Sequence, residues 1–275
     1  MKDVTLSTDE IRAFRQKIYD YYSLNRRNLP WRQTTNAYNI VVSEMMLQQT
    51  QVERVKDKYR GFIEAFPDFH ALAMAPLKEV LSVWQGLGYN RRALALKQCA
   101  EEAISSYGGE LPQDLEGLCK LPGIGRATAG EILAFAFNVP TVFIETNIRR
   151  VFIHEFFDGE DNVMDKKILP LVEATLDREN PREWYWALMD YGSMLKKKVV
   201  NPNRRSAHYA RQSAFEGSDR RIRGIILRTL LKKAYVTEKE LLCDVSIDQG
   251  RLTGILGKMA EDGLIREKDG LYSID

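Results

Sequence analysis

The sequence predicts an all-α domain followed by a small C-terminal α+β module, and three observations predict it. Apolar residues recur at spacings of three and four through most of the first 195 positions, which is the helical period. At Leu121-Pro122-Gly123-Ile124-Gly125, one Pro and two Gly separate a short apolar segment from a long helical one, so a sharp turn joins two helices in a helix-hairpin-helix. From Asp219 onward, three helical stretches precede two short strand-like runs that flank Lys268-Asp269-Gly270, a hairpin signal.

Composition bounds the rest. A chain of 275 residues, 44% hydrophobic, can bury a large core and has room for one large domain and one small one. Net charge is +2, so the distribution of charge rather than its total must speak for any polyanionic partner. No long uncharged apolar run and no basic-apolar leader is present, and a cytosolic location without membrane contact is expected. Cys99, Cys119 and Cys243 are too few and too scattered for a disulfide framework or a four-thiolate cluster, and are expected to be small core residues. His70, His154 and His208 lack ligand spacing, so no metal site is expected from them.

In chain order, Ser7-Thr8-Asp9-Glu10 reads as a capping box before a helix with Ile11, Phe14, Ile18 and Tyr21 on its apolar side. The turn from Asn25 delivers Trp31 and Arg32. Between Tyr38 and Leu47 a run of Ile, Val and Met contains one carboxylate, Glu44; burying it is costly unless it is protonated or partnered, which makes it a candidate acid. Gln51 to Phe66 is amphipathic and reads as scaffold. A helix beginning near Leu77 stops at Gly86-Leu87-Gly88-Tyr89-Asn90-Arg91-Arg92, and another runs from Arg92 to Tyr107. In the hairpin, Ala129, Ile132, Leu133 and Ala136 form one buried face, while Gly123 and Gly125 leave the amides at the helix start uncovered, an arrangement suited to a phosphate oxygen. Glu145-Thr146-Asn147 opens the next helix, and further helices are read around 151–157, 166–176 and 182–195. Lys196 to Arg223 holds nine Lys and Arg against Glu216 and Asp219, the strongest charge asymmetry in the chain.

Four blocks, in order and spacing, resemble the helix-hairpin-helix DNA glycosylases, the superfamily that includes endonuclease III, and most closely the MutY-type adenine DNA glycosylases. They are Leu29-Pro30-Trp31-Arg32, Ser43 to Val52, Trp84 to Tyr89, and Leu121 to Gly130, within a span from Leu29 to about Met194. The resemblance implies a glycosylase domain over 1–195, with a central helical lobe at about 30–140 and a second lobe from the N-terminal helix plus 145–195. A basic linker over 196–218 replaces the family's iron-sulfur loop, since no cysteine lies between Lys120 and Leu242, and 219–275 resembles a winged helix rather than the family's Nudix-like module.

The resemblance also assigns roles. Glu44 is the acid that protonates the departing base, Glu145 stands at the family's catalytic Asp, and Asn147 holds that carboxylate. Trp31, Arg32 and Trp186 line the pocket for the extruded base. Gln48, Gln49 and Tyr89 enter the duplex, and Arg91 or its neighbour Arg92 meets phosphate, as do Gly123, Gly125, Arg126 and Thr128 at the hairpin and Lys196, Lys197, Lys198, Arg204 and Arg205 in the basic run. Arg251 and Lys258 are offered to DNA by the last helix. Carbonyls at Cys119, Leu121 and Ile124 match those that hold an alkali ion in some members; no other inorganic cofactor is implied.

The lysine nucleophile of bifunctional members is replaced by Ala127, so base release without lyase cleavage is expected. The implied partner is double-stranded DNA with a mispaired or damaged base, bound by a monomer, with the C-terminal module contacting DNA or a protein. Three functions stay open: release of adenine or a related purine from a mispair; release of thymine or uracil opposite guanine, or of a deaminated purine; and lesion binding with turnover lost. Glu145 is one methylene longer than the family's Asp, and Trp186 stands where the adenine enzymes carry an amide or acid.

Overall fold

A computed structural model of the chain describes residues 6–210 and 214–274; positions 1–5 of the expected first domain, 211–213 of the basic linker and 275 of the last module lie outside the described residues. Fourteen α-helices are present among the described residues: α1 Thr8–Asn25, α2 Ala37–Leu47, α3 Val52–Ala65, α4 Phe69–Met74, α5 Leu77–Trp84, α6 Arg91–Tyr107, α7 Leu115–Lys120, α8 Arg126–Phe137, α9 Thr146–Phe156, α10 Asp165–Thr175, α11 Pro181–Lys198, α12 Asp219–Lys232, α13 Glu238–Val245 and α14 Gln249–Glu261. Three short strands, β1 Val236–Thr237, β2 Arg266–Lys268 and β3 Leu271–Ser273, join them. By contact the chain divides into two compact units, one from the described residues of Met1–Ile40, Gln113–Cys119 and Ile124–Arg211, the other from those of Val41–Pro112, Lys120–Gly123 and Gln212–Asp275.

The first unit is built on α11. Trp184, Leu188, Tyr191 and Leu195 recur along it at helical spacing and are buried, with α1, α8 and α9 packed on it. α1 starts as the sequence predicts: the Glu10 backbone amide donates to the Ser7 hydroxyl at 3.3 Å and the Ser7 amide to the Glu10 carboxylate at 2.7 Å. Such a cap contributes about 1 kcal/mol. Its buried side is Phe14, Ile18 and Tyr22; Tyr21, expected there, is only half-buried, because the helix turns its neighbour inward. Phe14 meets Phe152, Phe156 and Trp184 edge-on at centroid distances of 5.0–5.8 Å, and Arg15 and Tyr19 tie α1 to the end of α10 and the segment after it through the Thr175 carbonyl and the Asp177 carboxylate.

The second unit joins α3–α6 to the C-terminal module. Val55, Tyr59 and Phe62 of α3 are buried, and Phe62 meets Trp84 of α5 edge-on at 5.9 Å. The short helix α4, capped by Asp68, was not visible as periodicity because six residues are less than two turns. In the module, Ser218, Thr237 and Asp248 cap α12, α13 and α14 with their side chains, and Leu252, Ile255, Leu256 and Met259 are buried as the spacing predicts. The expected hairpin forms: β2 and β3 pair antiparallel around Asp269 and Gly270, both at positive φ, and β1 adds to β3, giving the order β1-β3-β2. Of the cysteines only Cys99 is a core residue; Cys119 and Cys243 are exposed, because each falls off the buried face of its helix.

Candidate active site and nucleic-acid interface

In the first unit, Glu145 is the N-cap of α9. Its carboxylate accepts from the backbone amides of Asn147 at 2.6 Å and Ile148 at 2.8 Å, and Asn147 Nδ2 donates to its second oxygen at 3.2 Å. Glutamate is an unusual cap, and here the extra methylene lets the side chain fold back onto the bonds a shorter acid would make. Asn147 is itself held: Arg150 Nη1 donates to its Oδ1 at 2.6 Å and to the Gly192 carbonyl at 2.8 Å, and Arg150 is 3% exposed. α11 comes so close at Gly192 that a Cβ there would stand 2.5 Å from the Asn147 carbonyl oxygen. Desolvation raises the Glu145 pKa above the ordinary glutamate range, opposed by the two amides and by the guanidiniums of Arg150 and Arg149. Arg149 is bidentate to Asp165 at 2.7 Å.

The aromatic residues expected at a base pocket occupy this unit too. Trp31, in the 3-10 turn Pro30–Arg32, is 4% exposed, and Trp186 of α11 is half-buried, stacked on Phe135 at 5.9 Å with the Arg32 guanidinium 5.5 Å from its ring. Arg32 has a partner that sequence reasoning missed. Both its terminal nitrogens donate to Asp190, at 2.9 and 2.8 Å, and Arg27 donates to the same carboxylate. Asp190 is 2% exposed, so two guanidiniums balance one buried charge. The available signal was a lone acid in the apolar run Trp184 to Tyr191, the same pattern that singled out Glu44.

At the hairpin, α8 starts from Gly125, which has ordinary extended backbone and no side chain to cap the helix; Gly125, Arg126 and Ala127 are exposed, while the Thr128 side chain is buried. Lys196, Lys197 and Lys198 form the exposed last turn of α11, and Arg204 is exposed beyond it. Arg205 departs from the phosphate-contact expectation: its guanidinium donates to the Phe157 and Ile153 carbonyls and so closes the C-terminus of α9.

In the second unit, Glu44 lies on α2 at 5% exposure between Val42, Met45 and Met46, with the Ser43 hydroxyl donating to it at 3.3 Å. Burial, with the Glu44 charge nearby, pushes the Tyr59 phenol up to about 12. Gln48 is half-buried and donates to the Gly123 carbonyl at 3.4 Å; Gln49 is exposed at positive φ. Gly123 has φ +77°, and a Cβ there would lie 2.6 Å from Met45 Cε and 2.9 Å from Ala95 Cβ, so both backbone and space require glycine.

Of the adjacent arginines, Arg92 serves the interior. It donates to the Met45, Met46 and Gln48 carbonyls and the Thr50 hydroxyl, closing the C-terminus of α2, and burial pushes its pKa down to about 10. Arg91 is the exposed one, 3.4 Å from Asp262. Tyr89 is half-buried in the loop after α5, and two neighbouring cavities of about 450 and 330 Å³ open beside it, sharing Gln49, Tyr89, Asn90 and Arg220. On α14, Lys258 is exposed, whereas Arg251 is bonded to Asp219 and the Gly217 carbonyl. No group of His, Cys, Asp and Glu suited to a metal occurs among the described residues, and three cysteines cannot supply four thiolates.

Residues 42–172 match the family model of the HhH-GPD superfamily base excision DNA repair protein. An adenine DNA glycosylase of Mycolicibacterium smegmatis is 32% identical over 94% of this chain and 94% of its own length. The adenine DNA glycosylases of Buchnera aphidicola, 36% identical, and Homo sapiens, 35% identical, match 66% and 67% of this chain; the chain spans 53% and 36% of those two. Among solved structures, a thermostable thymine-DNA glycosylase superposes with a TM-score of 0.61 at 26% identity, over 67% of this chain and 86% of that one. A trapped endonuclease III–DNA covalent intermediate superposes at 0.54 and 22% identity over 70% and 86%, a likeness of fold.

Proposed function

The chain belongs to the HhH-GPD superfamily of base excision DNA repair proteins, and from that premise we propose that it is a DNA N-glycosylase that releases adenine, or a related purine, from a mispair in double-stranded DNA. The observation that carries the chemistry is the Glu145 carboxylate, fixed by two amides and Asn147 at the start of α9. In this reading the base leaves the sugar through a cation-like transition state. Glu44 delivers a proton to a purine ring nitrogen, the glycosidic electron pair departs with the base, and the negative charge of Glu145 stabilises the sugar cation until water adds to it. Asn147, locked by Arg150, keeps the carboxylate aimed, and Trp31, Arg32 and Trp186 border the base pocket.

Ala127 supplies no amine, so neither a Schiff base nor strand cleavage is expected. Gln48, Gln49, Tyr89, Arg91, the amides from Gly123 to Thr128, Lys196, Lys197, Lys198 and Arg204 are assigned to DNA. The domain plan we propose is a glycosylase domain over 1–195, a basic linker over 196–218 and a winged helix over 219–275, the last supported by three helices followed by a paired hairpin. The protein acts as a cytoplasmic monomer, nucleoid-associated in a prokaryote. An iron-sulfur cluster does not fit three scattered cysteines; an alkali ion on the carbonyls of Cys119, Leu121 and Ile124 is retained and takes no part in the steps above.

One observation favours a second reading. Trp186 stacks on Phe135 instead of offering an amide or acid, which trades edge recognition for stacking, and a thymine-DNA glycosylase shares the fold. Thymine or uracil opposite guanine, or a deaminated purine, is then the substrate. Base release across a panel of mispaired duplexes, with wild type, Glu44→Gln and Glu145→Gln, decides. Adenine release abolished by both substitutions supports the first reading, release of another base the second, and tight binding with no alkali-labile site a lesion-binding protein. Borohydride trapping of a covalent adduct would overturn the absence of lyase chemistry.

A further inference from the structure

Tyr89 sits in a backbone conformation that a bulky residue rarely adopts. Its φ is +48°, between Gly88 at +73° and Asn90, in a loop that already turns at Gly86, φ +93°. A side chain is kept in such a conformation by its surroundings. Two guanidiniums stand by the ring: Arg92, 5.5 Å from its centroid and anchored on the C-terminus of α2, and Arg220, at 5.4 Å. Arg220 also donates from Nη1 to the Tyr89 hydroxyl at 2.7 Å, and Phe215 lies under the same guanidinium at 5.4 Å. Arg220 is in the first turn of α12, whose start is set by the Ser218 cap, and α12 lies outside the residues that match the family model.

The cavities beside Tyr89 share this arrangement. α12 contributes Arg220, Arg223 and Arg228 to their walls, the loops contribute Gln48, Gln49 and Asn90, and among the described residues no carboxylate lines either one. Arg223 is paired with Asp262, whereas Arg220 bonds the Tyr89 hydroxyl and so acts directly on the loop.

We propose that Arg220 is a positioning residue for mispair recognition: it fixes the Tyr89 ring beside Gln49, so that discrimination between mispaired and matched duplex depends on a helix of the C-terminal module. The inference rests on the glycosylase reading above. A hydrogen bond from a charged donor is strong enough to alter that discrimination by about tenfold.

The test uses the full chain as wild type, Arg220→Ala, Tyr89→Phe and the double variant. Dissociation constants are measured for a mispaired duplex and for the matched duplex of the same sequence at several salt concentrations, with the single-turnover rate at saturating enzyme. Expected is a loss of about tenfold in the mispaired-to-matched ratio for Arg220→Ala and for Tyr89→Phe, no further loss in the double variant, and an unchanged saturating rate for Arg220→Ala. Should Arg220→Ala instead weaken both duplexes equally and reduce the salt slope by about 0.9, Arg220 is a phosphate contact and the proposal fails. Additive losses in the double variant also overturn it. If Arg220→Ala does not fold, Tyr89→Phe, which removes one oxygen, carries the test. A wild type that releases no base from any duplex defeats the glycosylase reading, while the binding ratio still reports on Arg220.

Discussion

Glu145 and Glu44 are the same residue on two different helices, one capping α9 and the other within α2. Glu145 receives two backbone amides and an Asn amide, with Arg149 and Arg150 contributing favourable charge. Glu44 lies on α2 at 5% exposure, within the apolar run from Ile40 to Leu47, and accepts from the Ser43 hydroxyl at 3.3 Å. Donors aimed at an acid favour its anion, yet burial of Glu145 outweighs them and raises its pKa. In the proposed reading Glu145 supplies negative charge toward the sugar and Glu44 a proton for the base, so each carboxylate is tested by its own set of changes.

Removing either carboxylate is the most severe way to break this division. Glu44→Gln and Glu145→Gln are each expected to slow single-turnover base release by about 10²–10⁴, with affinity for the mispaired duplex within a few fold of wild type. A near-normal rate in one of them would strip that residue of its role.

Gly192→Ala tests the Glu145 side alone. Its new Cβ would stand 2.5 Å from the Asn147 carbonyl oxygen and 2.8 Å from Asn147 Cβ, and neither can swing away as a flexible side-chain end would. The start of α9 must shift, and a displacement of about an ångström at a reacting centre costs on the order of a hundredfold in rate. A folded variant with full activity would show that the close approach of α11 to α9 does not aim the carboxylate. Ser43→Ala is the corresponding change beside Glu44 and a milder one. Its hydroxyl bond is long, so base release is expected to change by less than about tenfold, and a loss as large as that of Glu44→Gln would reveal Ser43 as a full partner.

The sequence carried the contrast unevenly. Local chemistry was legible: the Ser7–Glu10 capping box, the Asp269-Gly270 turn and the buried face of α14 depend on residues a few positions apart. The Asn147 bond to Glu145 was legible through family likeness and spans two positions. What stayed hidden spans the chain. Arg27 and Arg32 find Asp190 more than 150 residues away, Arg205 closes α9 from 48 residues beyond Phe157, and Arg220 reaches Tyr89 across 131. A basic residue looks the same in sequence whether it ends on a carbonyl, a carboxylate or a phosphate. For that reason Arg205, counted among phosphate contacts, and Arg92, the alternative to Arg91 for one, close helix ends, while Lys196, Lys197 and Lys198 lie exposed on the surface.

The smallest and most specific test concerns the proton on Glu145. Its pKa is raised in the folded chain because burial outweighs the amides and guanidiniums that pull it down. The folded state therefore holds more protons than the unfolded one between the ordinary glutamate pKa and the raised value, and stability falls as pH rises through that window. Glu145→Gln has no proton to lose. Its melting temperature relative to wild type is expected to rise with pH across the window and to level off above it, even as base release is abolished. For wild type, the acid limb of base release should lie above the ordinary glutamate pKa, since the proposed mechanism works through the anion. If the melting difference instead narrows as pH rises, the hydrogen bonds at the α9 N-terminus dominate burial, and Glu145 is stabilised as an anion before any substrate arrives.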